Sequence, residues 1–363
     1  SRKATTQFNC FIHNAEDIGM HDPDSIEGIY TMLKSQAHTL KSEGGYGTNA
    51  SFIRPSGSYV LGIGARTPGV LKFMELWDKS SEIITQGANK ILGSERQDEK
   101  KKIRKGAMML VLSIWHPDIE EFIVAKQTPG RLTKFNMSVG ITEGFMEAVK
   151  NDLDWDLVFP DTECPEYKSQ WKGNLADWKS KGLPIITHKT VKAKDLWDKI
   201  ATSTYNRAEP GIMFLDTANK LNPVFYTETI HASNPCGEVL ASTGVCNLCS
   251  VNLPMYITEI AGKIVFDFES YGKAIRLGVR FLDNINTISP TPLPEYDMMV
   301  NKKRRIGLGN MGLGSLLFIL GMKYGSKESL EFVEKLYRCK SENELLASSE
   351  LGLEKGSFPL FQK

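Results

Sequence analysis

The residues whose types and spacing could do chemistry lie in Asn234-Pro235-Cys236-Gly237-Glu238, where an amide, a thiol and a carboxylate occupy alternate positions. Proline and glycine disfavour a helix, and in an extended or looped backbone alternate side chains share one face and can converge on one small molecule. A neighbouring carboxylate disfavours a thiolate, so Cys236 is a poor ionic nucleophile. The group suits radical chemistry better, in which a neutral thiol loses a hydrogen atom and the carboxylate handles a proton. A buried cysteine in a turn is the simpler alternative.

A second pair of thiols, Cys246 and Cys249, forms a C-x-x-C motif. Zinc prefers four ligands, and no second C-x-x-C or nearby histidine pair is present in the sequence. A thioredoxin-like dithiol needs a helix N-terminus, whereas residues 246–253 are apolar and strand-like. We predict no metal in this chain, and a zinc site stays only as an alternative. A local dithiol and the pairing of Cys246 with a distant cysteine also stay open.

The run Gly307-Leu308-Gly309-Asn310-Met311-Gly312 matches G-x-G-x-x-G. It follows the basic residues 302–305 rather than an apolar strand, so the context of a dinucleotide-binding site is missing. We expect these small residues to serve close helix packing instead.

Strand-like apolar stretches alternate with helical patterns along the chain, which predicts an α/β fold with parallel strands. Asp24 and Ser25 stand where a helix cap would, ahead of apolar residues at helical spacing from Ile26 to Ala37. Residues 107–114 form a continuous apolar run, typical of a parallel strand covered on both faces. Residues 88–102 and 151–192 are charged, and we expect them to be surface insertions, the second of them irregular.

Composition excludes several classes of protein. The chain has 363 residues, enough for two or three domains or one large barrel, with 41 % hydrophobic and 24 % charged residues. No apolar run approaches the ~18–20 residues that cross a bilayer. The net charge is only +1, which makes nucleic acid a poor default partner. Six cysteines are too sparse for a disulfide scaffold, and no signal peptide precedes them, so we expect a cytoplasmic location, in the host cell if the source is a virus.

Taken together, these motifs resemble those of the catalytic (large, alpha) subunit of ribonucleotide reductase, class I or class II, in a partial chain. Asn234-Pro235-Cys236-Gly237-Glu238 is similar to the finger-loop signature of that family, and residues 246–253 are similar to the strand that follows it. Further matching blocks occur in the family's order: Asn9-Cys10, Asp24-Ser25-Ile26, Gly44-Gly45-Tyr46-Gly47-Thr48-Asn49, Ile53-Arg54, Arg305-Ile306-Gly307-Leu308-Gly309 and Gly356-Ser357-Phe358.

The resemblance implies a ten-stranded α/β barrel of two parallel five-stranded halves, here expected to be incomplete at its C-terminal end. The first half-barrel would span about residues 1–225, the finger loop about 231–242, and the start of the second half about 243–363. We expect an unpaired sheet edge, which a complementing C-terminal segment would cover.

The same resemblance implies the roles of individual residues in reducing ribonucleotides to 2′-deoxyribonucleotides for DNA synthesis. Cys236 would become the thiyl radical that takes the ribose 3′ hydrogen, Glu238 would accept the 3′-hydroxyl proton, and Asn234 would bind the ribose hydroxyls. Cys10 and Cys246 would be the dithiol that becomes a disulfide as water leaves. A thioredoxin- or glutaredoxin-type protein would restore the thiols. Asn9 and Gly45 match positions that contact the substrate.

Regulation and partners follow from the resemblance as well. Asp24, Ser25 and Arg54 match a site for a deoxynucleoside triphosphate effector at the interface of a homodimer. Residues 127–134 match the segment that relays effector identity, and Arg131 there suits contact with a nucleotide. The radical source would be either adenosylcobalamin or a separate metal-bearing small subunit. The alternative function is that of a nucleotide-binding fragment of a split reductase, inactive without its complementing segment.

Overall fold

The structure is a computed structural model that describes residues 6–18, 22–60, 62, 64–90 and 106–361. Two units are separable by their internal contacts. The first comprises residues 9–245 and 292–296, and the second comprises residues 1–8, 246–291 and 297–363 as far as they are described. No helix in the described ranges is long and apolar enough to cross a membrane.

The first unit contains an α/β arrangement in which short strands alternate with helices. Its strands are β1 (Cys10–Ile12), β2 (Gly45–Asn49), β3 (Tyr59–Val60), β4 (Ala65–Arg66), β5 (Met108–Ser113), β6 (Phe135–Ile141), β7 (Asp154–Pro160), β8 (Ile185–Lys192), β9 (Gly211–Phe214), β10 (Ala232–Ser233), β11 (Leu240–Ala241) and β12 (Gly244–Val245). Its helices are α1 (Ile26–Lys41), α2 (Val70–Lys90), α3 (Ile119–Val124), α4 (Glu143–Lys150), α5 (Tyr167–Gln170), α6 (Leu175–Ser180), α7 (Ala193–Arg207) and α8 (Leu215–Lys220).

A six-stranded sheet forms the centre of this unit, in the order β12-β1-β2-β5-β6-β9. The strands from β1 to β9 are parallel to one another, and β12 is antiparallel to β1. The predicted α/β class with parallel strands is therefore confirmed. The described residues do not form a closed ten-stranded barrel, and β9 lies at the edge of the sheet with Ile212 and Phe214 exposed.

The two faces of the sheet carry different side chains because successive residues of a strand point to opposite sides. Met108, Leu110 and Leu112 of β5 belong to the large core that includes residues of α1, α2 and α3. Met109 and Val111 belong instead to a small cluster with residues of β10 and β11. Helices thus cover one face of the sheet, and residues 231–242 cover the other.

Helix α1 begins at the position that its sequence predicts. Ser25 caps it, since its hydroxyl accepts a hydrogen bond of 3.0 Å from the backbone N–H of Gly28. Ile29, Met32 and Leu40 are buried, which places one face of the helix in the core.

The expectation that residues 151–192 are irregular is wrong. Strands β7 and β8 pair as an antiparallel hairpin, and α5 and α6 lie between them along the chain. A separate core fills this segment, in which Trp171 and Trp178 pack edge to face with ring centroids 6.0 Å apart. The indole N–H of Trp171 donates a hydrogen bond of 2.8 Å to the carbonyl of Phe52, which ties the hairpin to the loop after β2. Most of the other expected insertion, residues 88–102, lies outside the described residues.

The second unit contains strands β13 (Leu248–Asn252), β14 (Ile257–Ile260), β15 (Lys263–Phe266) and β16 (Gly307–Met311), with helices α9 (Phe268–Ile288), α10 (Pro294–Lys303), which begins within the first unit, α11 (Leu313–Ile319) and α12 (Lys327–Lys355). Strands β13 and β16 are parallel. Residues 307–311, expected to serve close helix packing, form a strand, and Leu308 of this strand packs against a core that includes Tyr271 and Ile275 of α9. Ion pairs join α9 to α12, among them Arg276–Glu350 and Arg280–Glu354.

Candidate active site

The segment 234–238 forms a tight turn between β10 and β11, which pair as antiparallel strands. The backbone N–H of Gly237 donates to the carbonyl of Asn234 at 3.0 Å, and Gly237 has a φ of +82°, which favours glycine. The side chain of Asn234 is buried and makes two contacts within the turn. Its Oδ1 accepts from the backbone N–H of Val239 at 3.0 Å, and its Nδ2 donates to Oε2 of Glu238 at 2.5 Å.

The predicted convergence of this motif is thus present for the amide and the carboxylate. Asn234 orients the carboxylate of Glu238, which is itself exposed. Cys236 is exposed at the tip of the turn. A thiol at such a tip is accessible from outside, which a reaction with a small molecule requires.

The turn lies directly against the parallel strands β1 and β2. A Cβ added to Gly47 would stand 2.0 Å from the carbonyl oxygen of Ser233, so only glycine permits this approach. A Cβ on Gly45 would stand 2.9 Å from Cγ of Pro235 and 3.1 Å from Sγ of Cys10. The structure therefore brings Cys10, Gly45 and the 234–238 turn together.

Asn136 of β6, which is not among the site residues predicted from the sequence, also holds the turn. Its Nδ2 donates a hydrogen bond of 2.7 Å to the carbonyl of Pro235. The available signal was a lone amide near the start of the otherwise apolar strand at 135–141.

Asn9 and Cys10 are neighbours in the chain but differ in their exposure to solvent. Cys10 is buried within β1, opposite Gly45 of β2 in the parallel register. Asn9 is exposed, and its carbonyl accepts a hydrogen bond of 2.9 Å from the backbone N–H of Gly45. Asn9 thus supports the backbone of Gly45 from the end of β1.

Cys246 is buried and follows directly after β12 in the chain. Val245, its neighbour, pairs with Phe11, which is the neighbour of Cys10. Cys249 lies within β13, opposite Leu308 of β16. The C-x-x-C motif therefore stands in strand-like backbone, not at the start of a helix. Within the described ranges, no three histidine, cysteine, aspartate or glutamate side chains lie close enough together to hold a metal ion.

Asp24 and Arg54 form an ion pair in which the side chain of Asp24 is buried and that of Arg54 is partly exposed. The carboxylate of Asp24 accepts from Nε of Arg54 at 2.5 Å, from the backbone N–H of Arg54 at 2.7 Å and from the hydroxyl of Tyr167 at 2.6 Å. Burial raises the pKa of Asp24 to about 6, and this effect outweighs the opposing influence of Arg54 and Tyr167. Ser25 caps α1 and donates its hydroxyl to the carbonyl of Asp22 at 2.7 Å. Tyr167 could not be predicted as a partner of Asp24, because nothing in its local sequence marks it.

Arg131, which the sequence suggested for contact with a nucleotide, is engaged by two carboxylates. Its Nε donates to Glu75 at 2.7 Å and its Nη2 donates to Glu121 at 2.9 Å. These contacts tie the 127–134 segment to α2 and α3, so the guanidinium here has a structural role.

Comparison with known proteins decides the family. The family model described as "ribonucleotide reductase, barrel domain" matches residues 8–363. The chain belongs to this family. Similar members of the ribonucleotide reductase family include a vitamin B12-dependent ribonucleoside-diphosphate reductase of Mycobacterium tuberculosis, 33 % identical over 93 % of this chain and 43 % of the relative. A protein of the same description from Thermoplasma acidophilum is 34 % identical over 93 % of this chain and 39 % of the relative.

A third relative is described as a large subunit. The ribonucleoside-diphosphate reductase large subunit of variola virus is 31 % identical over 97 % of this chain and 44 % of the relative. The chain thus spans about two fifths of the length of the curated relatives it matches.

Proposed function

We propose that this chain is the catalytic part of a ribonucleotide reductase large subunit, which reduces ribonucleoside diphosphates to 2′-deoxyribonucleotides. The observation that carries the proposal is the approach of the 234–238 turn to Gly45 and Cys10, combined with the Asn234–Glu238 hydrogen bond. Pro235, the neighbour of Cys236 in the turn, and Sγ of Cys10 both lie beside Gly45, which would allow a reactive thiol, a carboxylate and a reducing thiol to act on one substrate. The names of the relatives support the diphosphate substrate.

In the proposed reaction, Cys236 as a thiyl radical takes the hydrogen atom from C3′ of the ribose. Glu238 accepts the proton of the 3′-hydroxyl as the 2′-hydroxyl leaves with a proton as water. The hydrogen bond from Asn234 supports this role, since it fixes one oxygen of Glu238 and leaves the second for the substrate. Asn234 would also bind the ribose hydroxyls, while Asn9 and Gly45 line the substrate position.

Cys10 and Cys246 would supply the two electrons and end as a disulfide. The pairing of Phe11 with Val245 supports this assignment, because each cysteine is the chain neighbour of one residue of that pair. A thioredoxin- or glutaredoxin-type reductant would then restore both thiols, which requires a reducing, cytoplasmic compartment. The net change is a ribonucleotide and a dithiol converted to a deoxyribonucleotide, a disulfide and water.

The five parallel strands β1, β2, β5, β6 and β9 support a first half-barrel within a ten-stranded barrel. The parallel pair β13 and β16 would begin the second half, and a complementing segment would supply its remaining strands. Residues 231–242 would then be the finger loop, with β10 and β11 as its stem, and 88–102 and 151–192 would be insertions.

The radical source is either adenosylcobalamin or a metal-bearing small subunit, and its chemistry is to remove a hydrogen atom from Cys236. Names of the relatives support both versions. The exposed position of Cys236 suits either one, because the thiol can be reached from outside the turn.

Asp24, Ser25 and Arg54 would bind a deoxynucleoside triphosphate effector at the interface of a homodimer. Because both oxygens of Asp24 are bonded within the protein, its role would be to hold Arg54. The guanidinium of Arg54 would then contact the effector phosphates. Replacing Arg54 by lysine keeps the charge but loses the planar fork. We expect the dissociation constant for dTTP to rise about tenfold, with Arg66→Lys at an exposed position as the matched control. An unchanged affinity in Arg54→Lys would refute this site.

The test of the reaction compares Cys236→Ala with Cys164→Ala in the holoenzyme. One arm of the assay supplies adenosylcobalamin and a small dithiol, and the other supplies a metal-loaded small subunit. We expect Cys236→Ala to abolish deoxyribonucleotide formation and Cys164→Ala to keep it, because Cys164 is a partly exposed thiol bonded to Glu166. Turnover by Cys236→Ala would refute the proposal.

A single-turnover experiment without external reductant tests the dithiol. One disulfide should form for each deoxyribonucleotide, and peptide mapping should find it between Cys10 and Cys246. A disulfide that contains Cys249 instead of Cys246 would contradict the assignment.

A further inference from the structure

Both strands of the finger-loop stem are tied to the short segment 14–17, which follows β1. Nδ2 of Asn14 donates to the carbonyl of Ser242 at 2.6 Å, and the backbone N–H of Asn14 donates to the hydroxyl of Thr243 at 3.2 Å. The hydroxyl of Ser242 also donates to the carboxylate of Asp17. These contacts hold the outgoing side of the stem.

The incoming side of the stem is held by the same segment and by the end of β2. Nε2 of His231 lies 2.6 Å from Oε2 of Glu16 and donates to it. The carbonyl of His231 accepts from Nδ2 of Asn49 at 2.9 Å. Asn49 is joined to Asn14 in turn, because its backbone N–H donates to Oδ1 of Asn14 at 3.2 Å.

Asn14 is therefore the central member of this set, which we call the stem anchor: Asn14, Glu16, Asp17 and Asn49 with their partners His231, Ser242 and Thr243. The side chain of Asn14 uses its donor on one side of the stem and its acceptor on the residue that holds the other side. Asn14 and Thr243 are buried, so water does not readily replace a contact that is lost.

The stem anchor connects the strand that carries Cys10 with the loop that carries Cys236. Cys10 is part of β1, and Asn14 follows the last residue of β1 by two positions. The strand that carries Cys10 and the loop that carries Cys236 are thus connected through hydrogen bonds at the far end of the stem, while Gly45 and Gly47 permit close packing at the near end.

We propose that Asn14 is a positioning residue, which fixes the finger loop relative to β1 and thereby sets where Cys236 and Glu238 stand. This inference rests on the proposed function, since it assigns the anchor a role in that reaction. It does not place Asn14 in contact with the substrate.

The test uses Asn14→Ala in the holoenzyme, with Asn222→Ala as the matched control. Asn222 is also buried, and its side chain accepts from the backbone N–H of Val224 in its own turn. Hydrogen exchange of residues 231–243 and the alkylation rate of Cys236, both followed by peptide mass spectrometry, report on the loop without any need for turnover.

In Asn14→Ala we expect the exchange rate of residues 231–243 and the alkylation rate of Cys236 to rise about tenfold, because about two hydrogen bonds are lost. The value of kcat should fall about tenfold or more, with KM changed less than about threefold. Asn222→Ala should leave the exchange rate, the alkylation rate, kcat and KM unchanged. Since Asn14→Ala could fold poorly, Glu16→Gln serves as a milder variant, for which we expect changes of about two- to threefold in the same direction.

Unchanged exchange and alkylation in both anchor variants would overturn the proposal. Faster exchange with an unchanged kcat would overturn it as well, because the loop would then be loosened without any effect on chemistry. If the parent protein itself shows no turnover, the proposed function fails, and the exchange and alkylation results still decide whether the anchor positions the loop.

Discussion

His13 is a buried histidine that should make the first unit sensitive to acid. It follows β1, is fully buried, and its ring centroid lies 5.3 Å from that of Tyr296 and 6.1 Å from that of Tyr46. Neither of its ring nitrogens has a hydrogen-bond partner among the described residues. Burial lowers the pKa of His13 to about 3 from its ordinary value of 6.5, so the ring stays neutral in the folded state.

The effect on stability follows from proton linkage. Between pH 6.5 and pH 3 the unfolded chain binds a proton at this position and the folded chain does not, so stability falls as the pH falls through this window. From pH 7.5 to pH 5.0 the loss attributable to His13 is about 2 kcal/mol. His13→Leu removes it and replaces an unsatisfied polar ring by an apolar side chain of similar size. The variant should therefore be at least as stable as the parent at pH 7.5, and its advantage should grow by about 2 kcal/mol at pH 5.0.

Urea unfolding at the two pH values, followed by tryptophan fluorescence, measures this difference. All six tryptophans of the chain lie within residues 9–245, so the signal reports on the first unit. His116 and His188, whose pKa values burial also lowers, are present in both proteins and cancel in the comparison. His38→Leu, at an exposed position of α1, is the control and should keep the parent's pH dependence. If the advantage of His13→Leu is the same at both pH values, the reasoning is wrong.

Further predictions concern the packing of the sheet, the turn and the hairpin. Gly47→Ala should lower the unfolding free energy by about 3 kcal/mol, because the new Cβ would meet the carbonyl of Ser233, whereas Gly144→Ala in α4, where the new Cβ has no atom within 4 Å, should raise it by up to about 1 kcal/mol. Equal effects in urea unfolding would contradict this. Asn136→Ala should cost about 1 kcal/mol and speed alkylation of Cys236, and an unchanged alkylation rate would count against its role at the turn. Trp171→Phe should cost about 1–2 kcal/mol by leaving the carbonyl of Phe52 without its donor, and no cost would mean that the 151–192 segment is only loosely packed.

Some of the fold could be predicted because local sequence and tertiary packing agree. Helix α1 has a capping serine and apolar residues at helical spacing. Strand β5 is apolar up to its last residue, Ser113, because both of its faces are buried. Motif order predicted the family, and the match to residues 8–363 confirmed it. In these elements each local preference is the one that the core requires.

Other elements could not be predicted because distant contacts form them. Strand β8 is almost entirely exposed, so no alternation of buried and exposed residues marks it. It forms through pairing with β7 and packing of the Trp171 core between them. Strand β16 is rich in glycine, which is a poor strand former. Pairing with β13 explains why glycine occurs in this strand, since a Cβ on Gly307 would stand 2.6 Å from Cδ2 of Leu248.

The candidate site divides in the same way. The alternation of Asn234 and Glu238 was visible in the sequence because both belong to one short turn. The groups that hold this turn in place, Asn136, the segment 14–17 and Asn49, come from three other segments of the chain. A single amide at the end of a strand has no sequence signal that separates an anchor from a solvated loop residue.

Strand β2 shows how one short sequence can satisfy the core and the chemistry together. Its Gly-Tyr-Gly run places glycine on the face against residues 233–235 and Tyr46 on the face against the helices, where its ring lies 6.3 Å from that of Trp77. On one face of β2 the backbone of residues 233–235 approaches closely because Gly45 and Gly47 have no side chains. On the other face the large side chain of Tyr46 fills the core. The alternation of glycine and tyrosine along the strand makes both possible. The glycines that look like a flexible loop in the sequence are therefore strand residues, and their missing side chains let the segment with Cys236 approach the strand with Cys10.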